Sequence, residues 1–299
     1  MKISRIKKLL NQNKKIEIND IITDATKTLL ESMNSFDPEE KSKSGGDLAK
    51  EWILKIDELS KDIVSLLTII AYYEADSFEK LLIETLERLT KLSKSRGNAT
   101  LLKVKEIPLQ YAFYGITMAL VKSKNIRILK NIMTKPKVRT QSYYLKSFEE
   151  HISPSNGFHL MAKNVNVSSN YYLPFEELIL RPFLLKCLLV TGVWIDEQEL
   201  DASYDIFEFL RTMYQKFQGK EKNYLYGRFA YKEDNNALKS FLLDGKEEKN
   251  DWKVLELFEN KQEYFEVTLK KCIDDFSGKS DINFSIASYV LKSFFEDGK

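Results

Sequence analysis

Side chains able to move a proton or hold a metal are scarce in this chain of 299 residues. The only histidines are His151 and His159, which leaves little for histidine-based metal sites or acid–base pairs. The nearest arginine ahead of either is Arg139, too distant for the short Arg-to-His spacing of helical ribonucleases. His159 lies in an irregular stretch and reads as a solvent-accessible or locally bonded side chain. Cys187 and Cys272 are far apart, whereas a zinc site needs cysteines at close spacing. Each sits in an apolar stretch, FLLKCLLV and LKKCIDDF, with no neighbouring histidine to activate it. Both read as small core hydrophobes in a reducing compartment, and no disulfide framework is implied.

Neither GxxxxGK[ST] nor GxGxxG occurs, so nucleotide hydrolysis by this chain alone is not expected. The acidic run DEQELDASYD, residues 196–205, has carboxylates spaced by four, which share a helix face and have the chemistry to hold a hard cation. The commoner role of such a run is a solvated face that complements the positive end of a helix. No catalytic, cofactor-binding or metal-binding residue is singled out, no cofactor is expected, and the chain reads as a non-enzyme.

The elements that must carry these residues are helices. Ile3, Ile6, Leu9 and Leu10 recur at helical spacing among Lys2, Arg5, Lys7, Lys8, Lys14 and Lys15, a short basic amphipathic helix. Asn19 or Asp20 caps a second helix through Met33, and FDPEEKSKSGG then breaks the pattern. From Asp47 the period is strong, and residues 63–71 carry too little charge for a surface helix. Ser77 caps an amphipathic helix that the SRGN turn ends. Pro108 suits the first turn of the nearly all-apolar LQYAFYGITMALV. The stretch SPSNGFHLMAKNVNVSSNYY loses the helical period and reads as a long loop or a short hairpin. Helices resume to the end.

The fold class expected is all-α, a multi-helix bundle or irregular α-solenoid with one irregular segment near 153–172. Residues 1–35 form a basic N-terminal helical segment, 36–46 a linker, 47–152 one helical subdomain and 153–299 another. No run reaches membrane-spanning length, the N-terminus lacks a secretory apolar core, and a cytoplasmic location is expected.

Formal net charge is only +2, with 46 basic against 44 acidic residues, so no global field favours nucleic acid. Lys7, Lys8, Lys14 and Lys15 are the candidate contacts for an anionic partner or a nucleic acid. The tyrosine clusters Tyr143-Tyr144, Tyr171-Tyr172 and Tyr224-Leu225-Tyr226 fall on less regular segments. They are the candidate partner surface, since tyrosine gives large contact area at low entropy cost.

Several segments in order resemble a helical region in the C-terminal half of bacterial defence-type proteins, where it follows Schlafen/AlbA-like or similar effector modules. They are LLTIIAYYEADSFEKLLIETLERL, IPLQYAFYGITMALVKSKNIRILKNIM with TKPKVR, LPFEELILRPFL, ASYDIFEFLRTMYQKF and YLYGRFAYK, covering about 52–232. Within them the GRFAYK context of Arg228 reads as partly buried, where an arginine would need a carboxylate, and Glu208 or Asp205 is the candidate for a structural ion pair. Only about fifty residues precede the resemblance, too few for an effector domain, so the chain reads as a free-standing subunit or part of a larger protein.

The resemblance implies a non-catalytic helical sensor or scaffold subunit in anti-phage defence, acting by protein–protein contact with an effector or phage protein, or with further copies of itself. The alternative is a nucleic-acid-binding accessory protein using the basic N-terminal helix; the third is a divergent helical nuclease, which needs polar side chains converging in one cleft.

Overall fold

Two nearly charge-free apolar runs, residues 63–71 and 107–121, dictate the architecture, because a helix apolar all round must be buried all round. The computed structural model describes residues 2–39, 43–93, 97–139, 145–148, 152, 156–165, 173–219, 236–277, 292 and 294–295. In chain order its helices are α1 (Lys2–Asn11), α2 (Lys15–Asn34), α3 (Gly45–Tyr73), α4 (Ala75–Leu89), α5 (Ala99–Lys105), α6 (Ile107–Lys122) and α7 (Ile126–Thr134). They continue with α8 (Asn156–Val165), α9 (Arg181–Leu188), α10 (Glu197–Phe217), α11 (Asn236–Glu248) and α12 (Gln262–Ser277). The protein is an all-α, multi-helix fold.

Helices α3 and α6 form the central pair, and every side chain from Ile107 to Val121 is buried. Gly115 permits their approach: a Cβ there would lie 2.7 Å from Thr68 Oγ1 and 3.0 Å from Val64 Cγ1. Helix α3 starts at Gly45 because Ser44 caps it, its hydroxyl accepting from the Asp47 amide at 3.2 Å. Helices α1 and α2 pack on α3, with Ile6, Ile18, Ile22, Leu29 and Met33 buried, so residues of the first thirty-five belong to the same hydrophobic cluster as the rest. The described part of the 36–46 stretch is pinned: Lys105 Nζ donates to the Phe36 carbonyl at 3.0 Å, and the Phe36 ring packs on Trp52 at 4.9 Å.

Three local expectations are corrected. Helix α8 occupies much of the stretch expected to be irregular, because Phe158, Met161 and Ala162 recur at helical spacing and are buried. The hairpin lies earlier, β1 (Lys137–Arg139) against β2 (Leu145–Ser147), antiparallel with Val138 opposite Lys146. Helices α2 and α4 begin ahead of their expected caps, at Lys15 and Ala75; the Ser77 hydroxyl donates to the Glu74 carboxylate at 3.2 Å instead.

Candidate functional site: a buried charge network

Four helical elements deliver ionisable side chains to one place in the interior. Helix α10 carries Glu208 and Arg211, three residues apart and so on one face. Helix α6 presents Tyr114 between them: its hydroxyl donates to Glu208 Oε1 at 2.8 Å and accepts from Arg211 Nη1 at 3.1 Å. Arg211 also approaches Glu208 Oε1 at 3.4 Å and stands 5.5 Å from the Phe113 ring centroid. Arg211 is 0% exposed and Glu208 2%, so the guanidinium and carboxylate neutralise each other where water cannot. Burial and the Glu208 charge push the Tyr114 hydroxyl well above its ordinary value, which keeps it a donor. The Tyr114 ring is stacked on Tyr204 at 5.4 Å.

A second pair lies beside this one. Glu176 opens a π-helical turn, Glu176–Leu180, that runs into α9. Its carboxyl is 3% exposed and pushed up to about 8, first by burial and then by Glu208, with Arg211 opposing. His159, on α8, turns its Nδ1 to within 3.5 Å of Glu176 Oε2, too long for a hydrogen bond, and neither atom makes one. Burial and the nearby Lys163 push His159 below its ordinary value. At neutral pH the pair is therefore a protonated carboxyl facing a neutral imidazole, one proton on the carboxyl side.

Glu208 is thus placed as a buried, charge-paired acid, with Arg211 as its partner among the described residues. Asp205 is fully buried one turn earlier on α10, not on a solvated face. Arg228, the partner expected for both, lies outside the described residues, as do Tyr143, Tyr144, Tyr171, Tyr172, Tyr224 and Tyr226 and the other histidine, His151. Sequence reasoning missed Arg211, Tyr114 and Glu176, and expected a local environment for His159. The Glu-to-Arg spacing within FEFLR was a usable signal; the tertiary contacts had none.

The remainder of the acidic run acts as a helix start. Asp196 caps α10 by accepting from the Glu199 amide at 2.9 Å, and Arg181 binds Asp201 at 3.0 Å and pairs with Glu197. Lys8, Lys14 and Lys15 are exposed; Lys14 pairs with Glu17 at 3.3 Å, and Lys7 is half-buried with its ammonium 5.9 Å from the Tyr73 ring. Both cysteines are buried, their thiols pushed up by burial to about 11 at Cys187 and about 12 at Cys272. No helix among the described residues is long and apolar enough to cross a membrane, and no three carboxylate, thiol or imidazole side chains among them are grouped to hold a metal ion.

Comparison of the chain with protein-family models, with curated proteins and with solved structures finds no match.

Proposed function

We propose that this chain is a helical sensor or scaffold subunit that acts through protein–protein contact, regulating an effector in a bacterial anti-phage system. The observation that carries the reading is the buried network joining α6, α8, α10 and the π-helical turn. Five ionisable side chains from four elements cost desolvation energy that apolar residues of the same volume would avoid. Such a network suits a protein that must hold one arrangement of its helices until a partner favours another. The network is covered: only His159 is partly open, its side chain 22% exposed, and the others are buried. That geometry favours positioning of helices over turnover of a substrate. The defence context rests on the resemblance of the ordered segments between about 52 and 232.

The test is affinity capture of the tagged chain from its host with and without phage infection, beside the variant Glu208→Gln. The expected result is recovery of an effector enzyme in amounts that change on infection for the wild type, and that change less for the variant. Recovery of bare RNA or DNA, or of no enzyme in either state, would sink the reading.

A further inference from the structure

Away from the charge network, a hollow of about 320 Å³ opens between the turn joining α6 to α7, the middle of α10, helix α11, and the 3-10 turns Lys249–Asp251 and Lys253–Phe258. Its inner wall is apolar: Val121, Ile126, Leu210, Phe241, Trp252 and Val254. Its mouth is charged, with Asp244, Glu248 and Asp251 against Lys124 and Lys253. The volume falls at the small end of the about 300–1,000 Å³ typical of small-molecule sites, and an apolar wall with a few polar groups at the mouth is their usual composition.

The wall is built. Gly245 on α11 lets the Trp252 indole lie flat on the helix backbone, since a Cβ there would stand 2.7 Å from three atoms of the ring. Phe241, one turn earlier on the same helix, packs on Trp252 with centroids 5.1 Å apart. Phe241, Asp244 and Glu248 share a face of α11, so the aromatic wall and the acidic mouth come from one helix. Lys124, at the opposite lip, is held in a left-handed turn at φ +53° and reaches Glu248 at 3.8 Å.

We propose that this hollow binds a small aromatic or alicyclic amine, its ring against Trp252 and Phe241 and its ammonium at Asp244 and Asp251. Water gains little against an apolar wall, so a ring seated there gains both hydrophobic burial and dispersion contact. The sign of the ligand's charge follows from the mouth: three carboxylates face two ammonium groups, and one of those groups is already engaged by Glu248. Asp244 and Asp251 have no salt bridge among the described residues and supply the excess negative charge. A carboxylate on the same ring would meet like charge, while a neutral ring would keep the wall contact alone. The hollow is separate from the Glu208–Arg211 network and does not depend on the sensor reading.

Calorimetric titration of the full chain tests this with tryptamine and indole-3-acetate, which share a ring and differ in the sign of the charge. Expected are saturable one-to-one binding of tryptamine, binding of indole-3-acetate weaker by about tenfold or more, and a similar loss for tryptamine in Asp244→Asn/Asp251→Asn. Both aspartates are exposed, so the double variant keeps the fold, as circular dichroism will show. Val254→Phe, which fills the wall, is expected to abolish binding of both probes. No saturable tryptamine binding at millimolar concentration, equal binding of the two probes, or affinity unmoved by the double aspartate change would overturn the proposal.

Discussion

A buried carboxyl with a raised pKa leaves a signature in stability against pH, and Glu176 is the residue to show it. Its carboxyl shifts from an ordinary 4.5 to about 8 in the fold. Below 4.5 it is protonated in both the folded and the unfolded chain. Between 4.5 and about 8 the folded chain keeps a proton that the unfolded chain has lost, so this residue's contribution falls as pH rises and levels off above that window. His159 acts in the other direction: its lowered pKa gives stability that is lost as pH falls below its ordinary 6.5. Comparing Glu176→Gln with the wild type cancels the histidine. In urea unfolding across the window, the wild type is expected to lose up to about 1.4 kcal/mol more per pH unit than the variant. Parallel stability curves would mean that the carboxyl is ionised in the folded protein. The glutamine amide matches the protonated carboxyl in size and, like it, carries no charge into the buried site, so the variant is expected to fold.

The same logic of close quarters operates between elements at the α3–α6 crossing. Gly115 is the residue that sets the interhelical distance, and an alanine there meets Thr68 Oγ1 and Val64 Cγ1. Overpacking costs about 1–3 kcal/mol, while alanine in place of glycine in a helix gains about 1 kcal/mol. We expect Gly115→Ala to lower the urea midpoint, and Thr68→Ala to recover part of the loss in the double variant, a coupling that a mutant cycle reads directly. A variant as stable as the wild type would place the helices further apart than the glycine implies. Which helices are central was legible in the sequence, because residues 63–71 and 107–121 have no polar face to turn outward. Helix starts were less so: α2 begins straight after the tight turn at Asn13, φ +54°, and α4 straight after Glu74, neither with a side-chain cap. Helix α8 hid behind Asn, Ser and Gly although Phe158, Met161 and Ala162 kept its period. The charge network stayed hidden for a different reason. Tyr114, Glu176 and Glu208 meet only in the folded chain, with 94 positions separating Tyr114 from Glu208, and spacing along the sequence carries no trace of that.

Across the whole molecule the charge is nearly balanced, and the basic N-terminal end is the place where imbalance is concentrated. Ile6 and Leu9 are buried in the common core, so α1 presents its lysines from a fixed surface. Lys7 is occupied over Tyr73 and Lys14 by Glu17, an exposed pair worth at most about 1 kcal/mol. That arrangement sets protein contact against nucleic-acid contact in a measurable way. If the chain works through a protein partner, its affinity for single-stranded RNA or DNA at physiological salt stays in the non-specific range of about 10⁻⁴–10⁻⁶ M. Reversing Lys8, Lys14 and Lys15 to glutamate is then expected to leave capture of the effector enzyme unchanged. Tight binding with a steep salt dependence, whose logarithmic slope drops by about 0.7 for each lysine reversed on a single strand, would transfer the function to the nucleic acid and to this end of the molecule.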